Sequence, residues 1–291
     1  MLFNLSKAAV LAFFLAHQTV AQTPISPALY QKIVRYTVFS AAAYAPICSA
    51  PAYGSSVVQY FNDTSGTETR ATLFRDDSAK ELILAFKGTS SPKDLDVDLD
   101  ALLVPLTAPG TSCSSCLVHE GFQAGYNSLA SVISSSVKSQ LASHSGYKLI
   151  ATGHSLGGAL AAIAASSLIG QGVPISAMYT FGEPRNGDAA WASYINNQIP
   201  IANYYRVTHT NDGVPQIPPT VLNYVHHGAE YWESKDSGNS ASTTFKCDTD
   251  SPKCNAGQET GTNPINGAHI SYSDMVIGSS LFIAGCGAVF P

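Results

Sequence analysis

Leu149-Ile150-Ala151-Thr152-Gly153-His154-Ser155-Leu156-Gly157-Gly158-Ala159-Leu160-Ala161-Ala162 decides the reading of this chain. A short apolar run ends at Gly153, a serine stands between two glycines, and a small-residue helical pattern begins at once. Gly-x-Ser-x-Gly between a strand and a helix is the pattern of a tight turn that lifts a serine hydroxyl above a sheet edge. The following N–H, on Leu156, then lies at a helix N-terminus, where developing negative charge is stabilised. Ser155 is therefore the candidate nucleophile, and the chain reads as a serine hydrolase.

Working outward, Glu81–Phe86 reads as a central strand running into Lys87-Gly88-Thr89, and Val57–Phe61 and Thr69–Phe74 read as shorter strands. Leu29–Tyr44 and His119–Leu141 carry apolar residues at helical spacing. Past the elbow, Ile175–Phe181 and Asn203–Thr208 read as strands flanking a helix over Ala189–Asn197. Strands alternating with helices predict an α/β-hydrolase-type fold, with a mainly parallel sheet and helices on both faces. Ser90–Pro105 alternates acidic and apolar residues; we read it as a surface flap of open secondary structure. With no linker or repeat, residues 22–291 are expected to form one domain.

A serine hydroxyl needs a histidine to take its proton and a carboxylate to fix that histidine's tautomer. In an elbow fold both follow the serine, acid first. Asp212 lies in a tight Asn-Asp-Gly turn just after a predicted strand, where open α/β sheets place their sites. Glu183, also just after a strand, is the rival acid, although Pro184 and Arg185 point to a loop salt bridge. His226, His227 and His269 remain as histidines of suitable order. The first two fall in Tyr224–Trp232, which reads as a strand packing aromatics, whereas His269 stands in the polar loop Asn266-Gly267-Ala268-His269; His269 is preferred. Leu156 and Thr89 are the candidate oxyanion donors, one following the serine and one following an earlier sheet strand.

Composition limits the class. Of 291 residues, 45% are hydrophobic and only 12% charged, and the net charge is −5. An acidic chain with no basic face argues against nucleic acid. Lys7 followed by the apolar run Ala8–Ala16 and by Thr19-Val20-Ala21 reads as a signal peptide over residues 1–21. No later stretch is apolar for the roughly 18 residues a membrane span needs, so a secreted, unanchored protein is expected. Six cysteines in an exported chain imply disulfides. Nearness in sequence favours Cys113–Cys116 and Cys247–Cys254, which leaves Cys48 for Cys286. The Cys-x-x-Cys lacks a second copy and metal-ligand spacing, so no metal or cofactor is expected. Asn62-Asp63-Thr64 is a glycosylation acceptor.

These residues carry a resemblance to the fungal class 3 lipase family, which includes filamentous-fungal lipases and type A feruloyl esterases. The matching landmarks are Phe86-Lys87-Gly88-Thr89, Cys113-Ser114-Ser115-Cys116 with Val118-His119-Glu120-Gly121-Phe122, and Gly153–Gly158. Thr180–Arg185, Arg206–Asp212 and Gly228–Trp232 continue the series in order. The resemblance implies Ser155, Asp212 and His269 as triad, Thr89 and Leu156 as oxyanion donors, and the three disulfides above. Lys87 stands where the family commonly has arginine. Phe122 after Gly121 is as in the lipases, and the flap has Ala101 and no tyrosine where the feruloyl esterases tend to carry pocket tyrosines. An apolar pocket wall at Phe122 favours acylglycerol esters over feruloyl esters of cell-wall polysaccharide. A monomer making transient contact with a lipid interface is expected. A catalytically silent fold that binds lipid or polymer is the alternative of another class.

Overall fold

The computed structural model describes residues 23–63, 66–89, 101–278 and Cys286. The predicted signal peptide, most of the flap and Thr64 lie outside the described residues. In chain order the elements are β1 (Thr23–Pro24), α1 (Pro27–Ala42), β2 (Ser56–Asn62), β3 (Arg70–Asp76), β4 (Glu81–Phe86), β5 (Leu103–Pro105), β6 (Leu117–His119) and α2 (Glu120–Ser143). There follow β7 (Lys148–His154), α3 (Leu156–Gly170), β8 (Ile175–Phe181), α4 (Ala189–Gln198), β9 (Tyr204–His209), β10 (Ala229–Glu233), β11 (Thr244–Cys247), β12 (Ser271–Tyr272) and β13 (Met275–Val276).

Nine strands make one sheet in the order β1-β11-β10-β9-β8-β7-β4-β3-β2. Its centre, β4-β7-β8-β9-β10, is parallel, while both flanks are antiparallel. The mainly parallel expectation therefore describes the centre alone. Where consecutive strands pair in the flanks the connections are short: residues 77–80 join β3 to β4, too few for the crossover that parallel neighbours require. The flap's described end forms β5, which pairs with β6 away from the main sheet.

Alternation along the central strands explains the layering. On β4, Leu82, Leu84 and Phe86 face one apolar cluster, and Ile83 and Ala85 face the other, as period-two side chains must. The first cluster holds Phe122, Tyr126, Leu129, Ile133 and Val137 of α2 together with the Ala-rich α3. The second holds Ile33, Tyr36 and Phe39 of α1. Helix α1 is started by Pro27 behind Ser26, whose hydroxyl accepts the Leu29 N–H at 3.2 Å. Helix α4 is capped likewise by Asp188 on the Trp191 N–H, at 2.9 Å. Helix α3 is buried nearly all round, so its small residues suit close approach to the sheet.

Phe122 lies in the first apolar cluster. It is fully buried, begins the apolar stripe of α2, and stacks on His119 with ring centroids 3.9 Å apart. Its spacing to Tyr126, Leu129 and Ile133 is that of a core helix face, so it packs as part of the α2 core stripe. The segment Tyr224–Trp232 differs from its reading: the strand starts only at Ala229, and His226 and His227 precede it.

The cysteines join as Cys48–Cys286, Cys113–Cys116 and Cys247–Cys254. The first closes a loop with a sequence separation of 238 and ties the chain after α1 to the far C-terminal region. Asn62 is exposed at the end of edge strand β2.

Candidate active site

The turn between β7 and α3 is built by what its neighbours lack. A Cβ on Gly153 would lie 2.2 Å from the Gly157 carbonyl oxygen, and one on Gly157 would lie 2.3 Å from that of Phe86. Without side chains at those two places, the turn closes tightly and α3 presses on the end of β4. Ser155 sits between them with φ 58° and ψ −132°, a conformation that L-residues reach only under constraint. The constraints are visible: the Ser155 N–H donates to the Phe181 carbonyl at 2.8 Å, and its own carbonyl accepts from the Gly158 N–H at 2.9 Å. Gly157→Ala is expected to destabilise the fold by about 1–3 kcal/mol, since the clashing atoms are backbone and cannot rotate away. A thermal melt lowered by roughly 3–10 °C would register it; an unchanged melting temperature would contradict the close approach.

Ser155 Oγ lies 2.9 Å from His269 Nε2. The other ring nitrogen, Nδ1, is 3.0 Å from both carboxylate oxygens of Asp212. A carboxylate accepts, so Nδ1 carries the hydrogen and Nε2 presents its lone pair to the serine hydroxyl. All three side chains are nearly or fully buried. Three elements thus converge at the carboxyl edge of the parallel strands: the elbow after β7, the turn after β9, and the loop before β12.

Sequence reasoning missed the groups that hold this arrangement. Asp212 also accepts the Val214 N–H at 2.9 Å and the hydroxyl of Tyr272. Burial and the Asp212 charge push the Tyr272 phenol well up, so it stays a donor. The Asn255 side chain donates to the Asp212 carbonyl at 2.7 Å. Asn266 spans both loops, donating to the Asn211 carbonyl at 2.6 Å while its Oδ1 accepts the N–H groups of Ala268 and His269. The Asn266-Gly267 pair was the available signal, because asparagine before glycine favours such side-chain turns.

His154, read only as part of the elbow, lies beneath His269 with ring centroids 4.5 Å apart. Its Nε2 is 2.8 Å from the His269 carbonyl and must donate, so Nδ1 accepts from the Tyr44 hydroxyl, also at 2.8 Å. Burial, followed by the neighbouring His269, holds the His154 imidazole well below the ordinary histidine range. It is a neutral prop carrying no charge against the site.

The rival acid is occupied elsewhere. Glu183 is fully buried and accepts from Thr180 Oγ1 at 2.5 Å, Asn186 Nδ2 at 2.9 Å and the Tyr204 hydroxyl at 3.0 Å, with His227 Nε2 at 3.1 Å. Arg185 reaches Asp250 at 2.7 Å in place of its neighbour. His226 donates to the Pro215 carbonyl at 2.6 Å. None of these joins Ser155. Leu156 opens α3, and its N–H is one of the first-turn donors that a helix leaves without an intrahelical partner. Thr89 is half-buried in the loop after β4. That loop abuts the elbow, since a Cβ on Gly88 would come within 3.1 Å of Ser155 Cβ. An open polar cavity of about 530 Å³ lies behind the Asp212 turn, lined by Thr210, Trp232 and Glu259 among others; Ser155, His269 and Asp212 are not part of it.

Sheet order and elbow define an α/β-hydrolase fold, and Ser155, His269 and Asp212 meet at its usual site. The class 3 lipase family model matches residues 83–222, so the chain is similar to that family over this stretch. It is 36% identical over 193 residues to a secreted mono- and diacylglycerol lipase A of Penicillium cyclopium, covering 66% of this chain and 61% of that protein. It is 35% identical over 188 residues to a lipase of Rhizomucor miehei, covering 63% of this chain and 49% of that one. The chain thus spans only about half to three-fifths of the length of these relatives. A lipase structure from Rhizopus microsporus var. chinensis superposes with a TM-score of 0.79 at 26% identity, over 90% of this chain and 93% of that one.

Proposed function

We propose that this chain is a secreted carboxylic ester hydrolase that cleaves acylglycerols through an acyl-enzyme on Ser155. The observation that carries it is the 2.9 Å approach of Ser155 Oγ to Nε2 of His269, whose Nδ1 is held by Asp212 at 3.0 Å. In this reading Ser155 attacks the ester carbonyl as His269 takes its proton, and Asp212 stabilises the resulting imidazolium. The N–H groups of Leu156 and Thr89 receive the oxyanion, helped by the positive end of α3. His269 then protonates the leaving alcohol, and water repeats the sequence to free the acid. No step calls on a metal or cofactor.

Preference for lipid rests on two things. The relatives from Penicillium and Fusarium solani are named mono- and diacylglycerol lipases. Ile270, directly beside His269, is 47% exposed, so an apolar side chain stands at the rim where an acyl chain or lipid surface would meet the site. Secretion is supported by the three disulfides and by the word "secreted" in the relatives' names. Emulsified tributyrin should be hydrolysed with a higher kcat/KM than methyl ferulate. A clear preference for ferulate would overturn the substrate while leaving the chemistry intact, and no turnover of either would favour a binding protein.

The loop assignment has its own test. If the Thr89 hydroxyl helps the backbone donors hold the oxyanion, Thr89→Ala should lower kcat by about 10²–10³-fold with little change in KM. An unchanged kcat would remove the hydroxyl from the mechanism.

A further inference from the structure

His209, the last residue of β9, is not used by the mechanism above, yet its side chain is 3% exposed and surrounded by acceptors. Its Nδ1 lies 3.1 Å from the Ala268 carbonyl oxygen and its Nε2 lies 2.7 Å from the Lys235 carbonyl oxygen. A carbonyl oxygen accepts and never donates. A neutral imidazole has one N–H and one lone pair, so it could satisfy only one of these contacts and would set a lone pair against the other. Both nitrogens therefore carry hydrogen. We propose that His209, resting as an imidazolium between two carbonyls, is a positioning residue that pins the His269 loop to the end of the sheet; this rests on the esterase reading of Ser155, His269 and Asp212.

The surroundings suit a cation. The next strand pairs in register, His209 opposite Glu233, and the Glu233 carboxyl is fully buried. It accepts the Ser273 N–H at 2.8 Å and the Ser273 hydroxyl at 2.9 Å. Burial pushes that carboxyl up, while the Ser273 bonds and the charge of His209 oppose the rise; a cationic ring answers a buried carboxylate that has no salt bridge among the described residues. Tyr272 packs 5.7 Å away, centroid to centroid, and its hydroxyl is held by Asp212. Asp274, in the turn after β12, accepts the N–H groups of Gly238 and Asn239. Lys235 meets the ring through its carbonyl, with its side chain exposed. The titratable groups around His209 are thus Glu233, Lys235, Tyr272, Asp274, His269 and Asp212.

The geometry gives the clamp its consequence. Ala268 immediately precedes His269, so the bond from Nδ1 fixes the peptide from which the candidate base springs. The bond from Nε2 anchors the same ring to the segment leaving β10. Asn266 holds the loop from one side and His209 from the other, which leaves the His269 ring little freedom to drift from Asp212. A displacement of about 1 Å at such a base can cost on the order of 100-fold.

The test is nitrogen-15 NMR on the full chain with ring-labelled histidine at pH 7, His209 being assigned as the signal missing from His209→Gln. Both His209 nitrogens should show protonated, imidazolium-type shifts, while His154 serves as the neutral reference. A lone-pair shift on either His209 nitrogen overturns the proposal, and this arm needs no turnover. In His209→Phe and His209→Gln, the low-field proton shared by His269 and Asp212 should broaden or vanish. With p-nitrophenyl butyrate kcat should fall about 10–100-fold at nearly constant KM. Lower thermal stability with that proton and kcat unchanged would make His209 a structural residue only. Failure of the wild type to turn over any ester would sink the esterase reading without touching the nitrogen-15 result.

Discussion

Ser155→Ala is expected to reduce kcat on p-nitrophenyl butyrate by about a million-fold, the scale seen when the nucleophile of a serine hydrolase is removed. The fold should survive. Ser155 Oγ makes its hydrogen bond to His269, and the turn is held by the backbone bonds of Ser155 to Phe181 and Gly158, which alanine keeps. The cost of φ 58° falls on alanine and serine alike, because both carry a Cβ. Circular dichroism and a thermal melt close to wild type, beside the lost activity, would separate chemistry from unfolding. What remains should be slow hydrolysis assisted by the oxyanion donors alone. A burst of p-nitrophenol equal to the enzyme concentration in wild type, absent in the variant, would identify the acyl-enzyme directly. Equal rates in the two proteins would remove Ser155 from the reaction.

Local chemistry was the most readable part of the chain. The elbow could be seen in Gly153–Gly158 because backbone crowding permits few residue types there, and that crowding is short-range. The order of acid and base after the serine drew attention to Asp212 and His269, which the fold brings into contact from residues 57 apart. Strand order at the flanks was open to a simple argument, since the few residues between β3 and β4 exclude a parallel pairing. The props were not readable. Tyr44, 110 residues from His154, and Asn255, 43 residues from Asp212, meet the site only through tertiary folding, and no spacing along the chain encodes such contacts. Phe122 could be read in two ways. Its place beside Gly121 drew it toward a pocket, while its helical register with Tyr126, Leu129 and Ile133 drew it toward the core. Register prevailed, because burying a Phe ring is worth about 1.5–3 kcal/mol and α2 has its stripe on that side.

Asp212→Asn isolates the role of the carboxylate with little change in shape. Asp212 Oδ1 accepts from the Val214 N–H and from His269 Nδ1, while Oδ2 accepts from Tyr272 and from the same Nδ1. An asparagine must place its oxygen toward the Val214 amide, which can only donate, and so turns its NH₂ toward His269 and Tyr272. The tyrosine hydroxyl can rotate and accept. His269 has a harder choice: facing a donor, Nδ1 must give up its hydrogen, which moves to Nε2 and points at Ser155. The imidazole then holds the wrong tautomer to take the serine proton, and kcat should drop about 10⁴-fold with stability nearly intact. Glu183 offers no substitute, because its carboxylate is engaged by Thr180, Asn186, Tyr204 and His227. The same tautomer switch should appear in nitrogen-15 spectra of His269, with the lone-pair signal passing from Nε2 to Nδ1. A variant that keeps more than about a tenth of the wild-type kcat, with Nε2 still unprotonated, would show that Asp212 does not set the state of the base.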